Sequence, residues 1–176
     1  DTGRLKIEQI DPADVSPGEF SGRVRAAVEE RGTRLVVIDS LTGYLNAMPE
    51  QPFVVLQMHE LLTYLNQQGV VTILILSQHG MVGQMVSPVD LTYLSDSVVM
   101  LRFFEANGRI RRALSVLKRR TGSHEDTIRE FRIDHRGLRV GLPLEKFRGV
   151  LTGVPTFDGE SATLLDDREV EYNGEL

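Results

Sequence analysis

"TRLVVIDSLTGYL", residues 33–45, carries four consecutive apolar residues, Leu35 to Ile38, that run straight into Asp39 and Ser40. Helical stretches flank it on both sides. A continuous apolar run in that setting predicts a parallel strand buried on both faces. The same reading applies to "VVTILILS", residues 70–77. Between the two, "PFVVLQMHELLTYLNQQG", residues 52–69, places Val54, Met58, Leu61 and Leu65 on one helical face and stops at Gly69. Strand, helix and strand form a βαβ crossover, so the fold class is α/β.

Upstream, "RLKIEQI", residues 4–10, alternates Leu5 and Ile7 with polar residues and predicts a short strand. Ser16 is a helix N-cap, Pro17 suits the first helical position and Glu19 completes a capping-box spacing. A helix from about Pro17 to Glu30 follows, ended near Gly32. Downstream of Gln78 the character changes. "HGMVGQMVSPVD", residues 79–90, has no period and reads as a loop. "DSVVMLRF" and "RIRRALSVLK" then flank a turn at Asn107-Gly108, and "TIREFRIDHRGLRV" adds a second hairpin with its turn near Arg136-Gly137. Residues 156–176 are acidic and turn-rich. They read as a tail, which leaves residues 1–155 as the domain.

The composition narrows the function. The chain has 176 residues, 41% hydrophobic and 26% charged, which suits one domain with a core. The net charge of -5 argues against nucleic acid as the main partner. The loop at Gly80–Asp90 has no Lys or Arg to attract phosphate. With no cysteine, a reducing, cytoplasmic setting fits and thiolate metal sites are excluded. No apolar run approaches the ~20 residues of a membrane span. The opening "DTGRLKIEQI" has neither Met nor a signal peptide and reads as the middle of a longer protein.

In open parallel sheets, ligands sit beyond the carboxyl ends of the strands. Asp39–Ser40 and Ser77–Gln78 fall at two such ends. Asp39 has two readings. It orients a phosphate-bound Mg²⁺, which keeps several waters and draws on one or two carboxylates, or it merely caps the strand. A second constellation lies on the strand "RIRRALSVLKRR". Strict alternation puts Arg112, Leu114, Val116, Lys118 and Arg120 on one face and Arg119 on the other. Lys118 and Arg120 are then adjacent cations, set either to meet an anion or to protect a hairpin edge from pairing.

"LVVIDSLTGYL", "SQHG", "DSVVMLR", "GRIRRALSVLKRR", "SHEDTIREFRI" and "GVLTGVP" occur in an order that resembles the KaiC family of RecA-like ATPases, from about Arg4 to Pro155. The resemblance implies a RecA-like sheet, with parallel central strands flanked by helices and late antiparallel hairpins. It implies a homo-oligomer, commonly a hexameric ring, with ATP and Mg²⁺ held at subunit interfaces. It makes Asp39 the metal ligand and matches His124, otherwise a surface-loop histidine, to a residue near the nucleotide; Ser40, Ser77 and Gln78, at the strand ends, are the further nucleotide-binding candidates. Lys118 and Arg120 would reach in trans to the phosphates of the neighbour's ATP, as an arginine finger does. The family's Gly-Thr/Ser after Lys-x-Arg reads Thr121-Gly122 here. Some members are serine/threonine autokinases of the circadian clock. Their hydroxyl pair, counted back from Asp96, falls on Thr92-Tyr93, so Thr92 is the candidate phosphosite.

The chain contains no G-x-x-x-x-G-K-[ST] stretch, and the family's catalytic glutamates, which follow that loop closely, are missing with it. The expectation is a partial domain, the portion of an ATPase domain after the P-loop, inactive alone. The alternative is a non-catalytic RecA-like oligomerisation or interaction domain. A recombinase-like DNA binder is disfavoured by the uncharged loop, and a receiver domain by the late hairpins.

Overall fold

Helix α1 (Pro17–Arg31) begins where its capping residues place it. Ser16 is extended, with its hydroxyl accepting the Glu19 amide at 3.2 Å, and Gly32 closes the helix at φ 65°. The Glu19 carboxylate pairs with Arg23 one turn on, at 2.7 Å. The computed structural model describes residues 4–11, 13–46, 51–77, 94–152, 154–159 and 164, which fall in two units, Asp1–Gln78 and His79–Leu176. No helix among them is long and apolar enough to cross a membrane.

In the first unit, β1 (Leu35–Asp39) runs parallel to β2 (Val71–Ile75), in register from Leu35↔Val71 to Asp39↔Ile75. Helices α2 (Leu41–Asn46) and α3 (Gln51–Gln67) connect them, and both pack against β2. Leu41, Leu45, Met58, Leu61 and Leu65 are each at most 1% exposed and form the core between these elements. Full burial of one such side chain contributes about 1.5–3 kcal/mol. The α3 stripe is the one its spacing predicts, and Gly69 takes the left-handed conformation, φ 65°, that ends it.

Two expectations are corrected here. Among the described residues of this unit, the helices cover one face of the strands only. Leu35, Val37, Val71, Ile73 and Ile75 share the other face and are 41–62% exposed. An apolar run records that both faces can be buried, and the helices of this unit cover just one. Secondly, residues 4–11 form no strand, and Leu5 and Ile7 stand in solvent. Alternation holds an extended segment only when a neighbouring ladder supplies hydrogen bonds, and no described strand pairs with this one.

The second unit is an antiparallel sheet in the order β3-β4-β5-β6, comprising Ser97–Ala106, Arg109–Arg119, Arg129–Asp134 and Gly137–Pro143. Asn107 and Gly108 join the first pair with φ 54° and 66°, the positive pair that a tight type I′ hairpin turn demands. One face carries Phe104, Ala106 and Ala113, packed with Leu144 and Val150. Phe147 meets Phe104 edge-on at 5.8 Å. Its strand β7 (Phe147–Arg148) pairs with β8 (Thr156–Phe157), the first residues of the expected tail. The same face buries charge. Glu130, 2% exposed, lies 2.8 Å from Arg111 and 3.5 Å from Arg132, and Arg102 donates to the Leu151 carbonyl. The opposite face exposes Val99, Leu101, Phe103, Leu138 and Val140.

β4 departs from strict alternation. Val99 pairs with Val116 but Val98 pairs with Lys118, so Leu117 is an extra residue in a β-bulge. Directly paired residues share a face and successive residues do not. Lys118 therefore lies with Val98, Met100 and Arg102. The expected common face with Arg112, Leu114 and Val116 is broken, because the bulge consumes one residue. Burial follows the register: Leu117 is 44% exposed and Lys118 half-buried.

Candidate functional site

Asp39 is the last residue of β1 and stands opposite Ile75. It is exposed and, by register, lies on the bare side of the sheet with Leu35 and Val37. The peptide bond to Ser40 is cis. Ser40 opens α2: its hydroxyl accepts the Gly43 amide and its carbonyl the Tyr44 amide, both at 3.5 Å. Thr42, buried in the first turn, donates its hydroxyl to the Ser77 carbonyl and accepts the Ser77 amide, each at 3.0 Å. Those two bonds bind the segment after β2 to the segment after β1. Asp39, Ser40 and Ser77 are thus gathered at one end of the parallel pair.

The bracing role of Thr42 was not read from the sequence. The signal was present: Ser40 as a cap, followed by Leu41, Tyr44 and Leu45 at helical spacing, marks the short α2 that carries it. Gln78 and Thr92 lie outside the described residues. Among the described residues no group of three or more His, Cys, Asp or Glu could hold a metal ion by itself. A lone strand-end carboxylate fits a Mg²⁺ that takes its remaining ligands from water and phosphate.

The second constellation sits on the other unit. Arg120 continues the ladder past β4, its amide donating to the Asp96 carbonyl at 2.7 Å and its guanidinium meeting the Asp96 carboxylate at 2.9 Å. Lys118 and Arg120 thus share a face, now that of Val98. Arg119, opposite Ser97, points the other way and donates to the Ser123 carbonyl at 3.1 Å. His124 is exposed in the loop that follows. That loop is anchored by Glu125, whose carboxylate accepts from the Thr127 hydroxyl and amide and pairs with Arg129 at 3.1 Å. The Thr127 hydroxyl bond, foremost, holds the Glu125 carboxyl below its usual range.

The family model described as "ATPase: KaiC" matches residues 3–145. The circadian clock protein KaiC3 of Synechocystis sp. is 37% identical over 79 residues, which is 45% of this chain and 16% of that protein. The circadian clock oscillator protein KaiC of Acaryochloris marina is 28% identical over 80 residues, 46% of this chain and 15% of its own. A KaiC-like protein from the hyperthermophilic archaeon Pyrococcus horikoshii OT3 shares the fold, with a TM-score of 0.61 at 22% identity, over 71% of this chain and 54% of that one. The chain therefore spans about a sixth of the curated relatives it matches and about half of that structural neighbour. Its parallel strands and late antiparallel hairpins are those of a KaiC-like, RecA-type domain covered in part.

Proposed function

The chain belongs to the KaiC family of ATPases, and from that premise we propose that it supplies the metal carboxylate and the basic strand of an ATP-hydrolysing domain. The observation that carries the reading is the gathering of Asp39, Ser40 and Ser77 at the carboxyl ends of two register-matched parallel strands, braced through Thr42. Asp39 would hold a Mg²⁺, and the ion when bound would supply neutralisation of phosphate charge. Asp39 orients its water ligands from a rigid strand end. Ser40, Ser77 and Gln78 offer hydrogen bonds around the terminal phosphate and the attacking water.

Lys118 and Arg120, with His124 on the following loop, act on the neighbouring subunit's ATP in a homo-oligomeric, hexameric ring. The phosphate cradle is not among these 176 residues, which hold no G-x-x-x-x-G-K-[ST] stretch. The names of the relatives favour a circadian or related signalling role, and the cysteine-free sequence fits a cytoplasmic setting. Autophosphorylation, if present, falls on Thr92. It ranks below hydrolysis because the second hydroxyl of the pair is Tyr93.

Mixed oligomers of the full-length protein test the reading. Subunits lacking the Asp39 carboxylate are combined with subunits lacking both Lys118 and Arg120. Each parent is expected to be inactive, and the mixture to regain part of the hydrolysis. A mixture that stays inactive despite demonstrated subunit exchange removes the trans role. One observation favours a second reading, a non-catalytic interaction domain: the β1-β2 sheet and the four-stranded sheet each present an exposed apolar face. Oligomerisation indifferent to Mg·ATP would support it.

A further inference from the structure

β4 holds one residue more than the stretch of β3 it faces. The ladder runs regularly from Ala106↔Arg109 to Val99↔Val116, skips Leu117 and resumes at Val98↔Lys118 and Ser97↔Arg119. Leu117 has no partner residue in that register and turns outward, 44% exposed. Beyond the skip the strands stay joined, for the Arg120 amide reaches the Asp96 carbonyl at 2.7 Å. The bulge thus does not end the ladder. It transposes everything after it to the opposite face.

We propose that this one-residue offset, absorbed by Leu117, sets the face from which Lys118 and Arg120 work, and that the working face is the one shared with Val98, Met100 and Arg102. The inference rests on the trans role proposed above for the two cations. Were Leu117 instead paired in a regular ladder, Lys118 would stand on the exposed apolar face with Val99, Leu101 and Val116, and Arg119 would take its place. Side chains alternate strictly along a strand, so a slip of one residue exchanges the two sets completely. Bulges are a common means of re-aiming a side chain beside a functional site. The Asp96 carboxylate, 2.9 Å from the Arg120 guanidinium, holds the second cation on the transposed side.

The offset can be removed in two opposite ways. Deleting Leu117 leaves Lys118 opposite Val98 in a regular ladder, with its face unchanged. Inserting an alanine between Val98 and Val99 also makes the ladder regular but moves Lys118 and Arg120 to the other face. Mg·ATP hydrolysis by the full-length protein is the measurement, with melting temperature and oligomeric size recorded for each variant. Lys118→Ala with Arg120→Ala sets the floor, expected on the order of 10³-fold below the native rate, the range of an arginine finger. The insertion should fall to that floor and the deletion should keep the native rate within about tenfold. In the insertion background, Leu117→Lys with Lys118→Leu puts a lysine back on the working face, where Arg119 then occupies the place of Arg120. Most of the lost rate should return, which a merely structural bulge would not allow.

An insertion variant that hydrolyses at the native rate while the double alanine variant sits at the floor overturns the inference. So does a swap that assembles but recovers nothing. Should the insertion fail to assemble, the deletion decides: an assembled deletion variant at the floor overturns the inference, and one at the native rate supports it. If the double alanine variant itself hydrolyses normally, the trans role falls, and the inference with it.

Discussion

Thr42 is a small residue with a large reach. Its hydroxyl both donates to and accepts from Ser77, 35 positions along the chain. Thr42→Val keeps the shape and removes both bonds. With the hydroxyl buried, the variant should lose about 1–3 kcal/mol in denaturant unfolding, the cost of leaving buried polar groups unpaired. Asp39→Asn is expected to behave differently. Asp39 is exposed, so the fold should survive, by circular dichroism and melting. Metal neutralisation of phosphate charge is worth several kcal/mol, so Mg²⁺-dependent hydrolysis by the full-length protein should drop at least ~100-fold. A variant that unfolds, yet keeps its specific activity in the folded fraction, would make Asp39 a strand cap. Asp39 could be singled out in the sequence because it ends an apolar run. For Thr42 the sequence marks only the short helix that carries it, since its partner Ser77 is brought to it by the fold.

Elements were legible where a local rule governs them. Ser16 and Gly32 bound α1, and Asn107-Gly108 closes the first hairpin, because caps and tight turns are decided within four residues. The α3 stripe was legible through its 3.6-residue period, and Leu61→Ala should cost about 2–5 kcal/mol in unfolding free energy through the cavity it opens. Pairing was less legible. The bulge at Leu117 and the unpaired "RLKIEQI" depend on a partner strand that periodicity does not describe. Burial of Glu130 was also hidden, since its ion pair with Arg111 crosses from β5 to β4. Glu130→Ala should destabilise the sheet by about 3–5 kcal/mol, the cost of breaking a buried pair from one side.

The second hairpin adds a pH dependence. Asp134 accepts the Arg136 amide at 2.8 Å and pairs with Arg139 at 2.9 Å. The amide bond, foremost, lowers its pKa. Its folded pKa lies below its unfolded one, so its contribution is complete above the ordinary aspartate value, about 4. It fades as pH falls through that value towards the folded pKa. Asp134→Asn should therefore narrow the melting gap from native protein as pH drops from 6 to 3. A gap that widens would reverse the assignment.

At the scale of the molecule, the order of motifs was sufficient for the family, and the α/β class follows from two apolar runs joined by a helix. The placement of the candidate site was legible only as far as strand ends allow. Asp39, Ser40 and Ser77 converge as parallel topology requires, whereas the facing of Lys118 depends on the register of another strand. A further expectation concerns the 176 residues by themselves. Phosphate affinity in P-loop proteins comes mainly from a cradle of backbone amides and its lysine, and the chain has no such stretch. Calorimetry should detect no tight Mg·ATP binding to it, and a micromolar or stronger isotherm would refute this.

The uncovered side of β1 and β2 governs how such a chain can be handled. Leu35, Val37, Val71, Ile73 and Ile75 form a greasy strip that water wets at a cost. The purified polypeptide should light up the environment-sensitive dye ANS even though its helices and hairpins are formed. It should also scatter light increasingly with concentration and with added ammonium sulfate, since salting-out ions strengthen apolar association. A lysine in place of Ile73 would put a charge in the middle of that strip and should dim the dye and clear the solution.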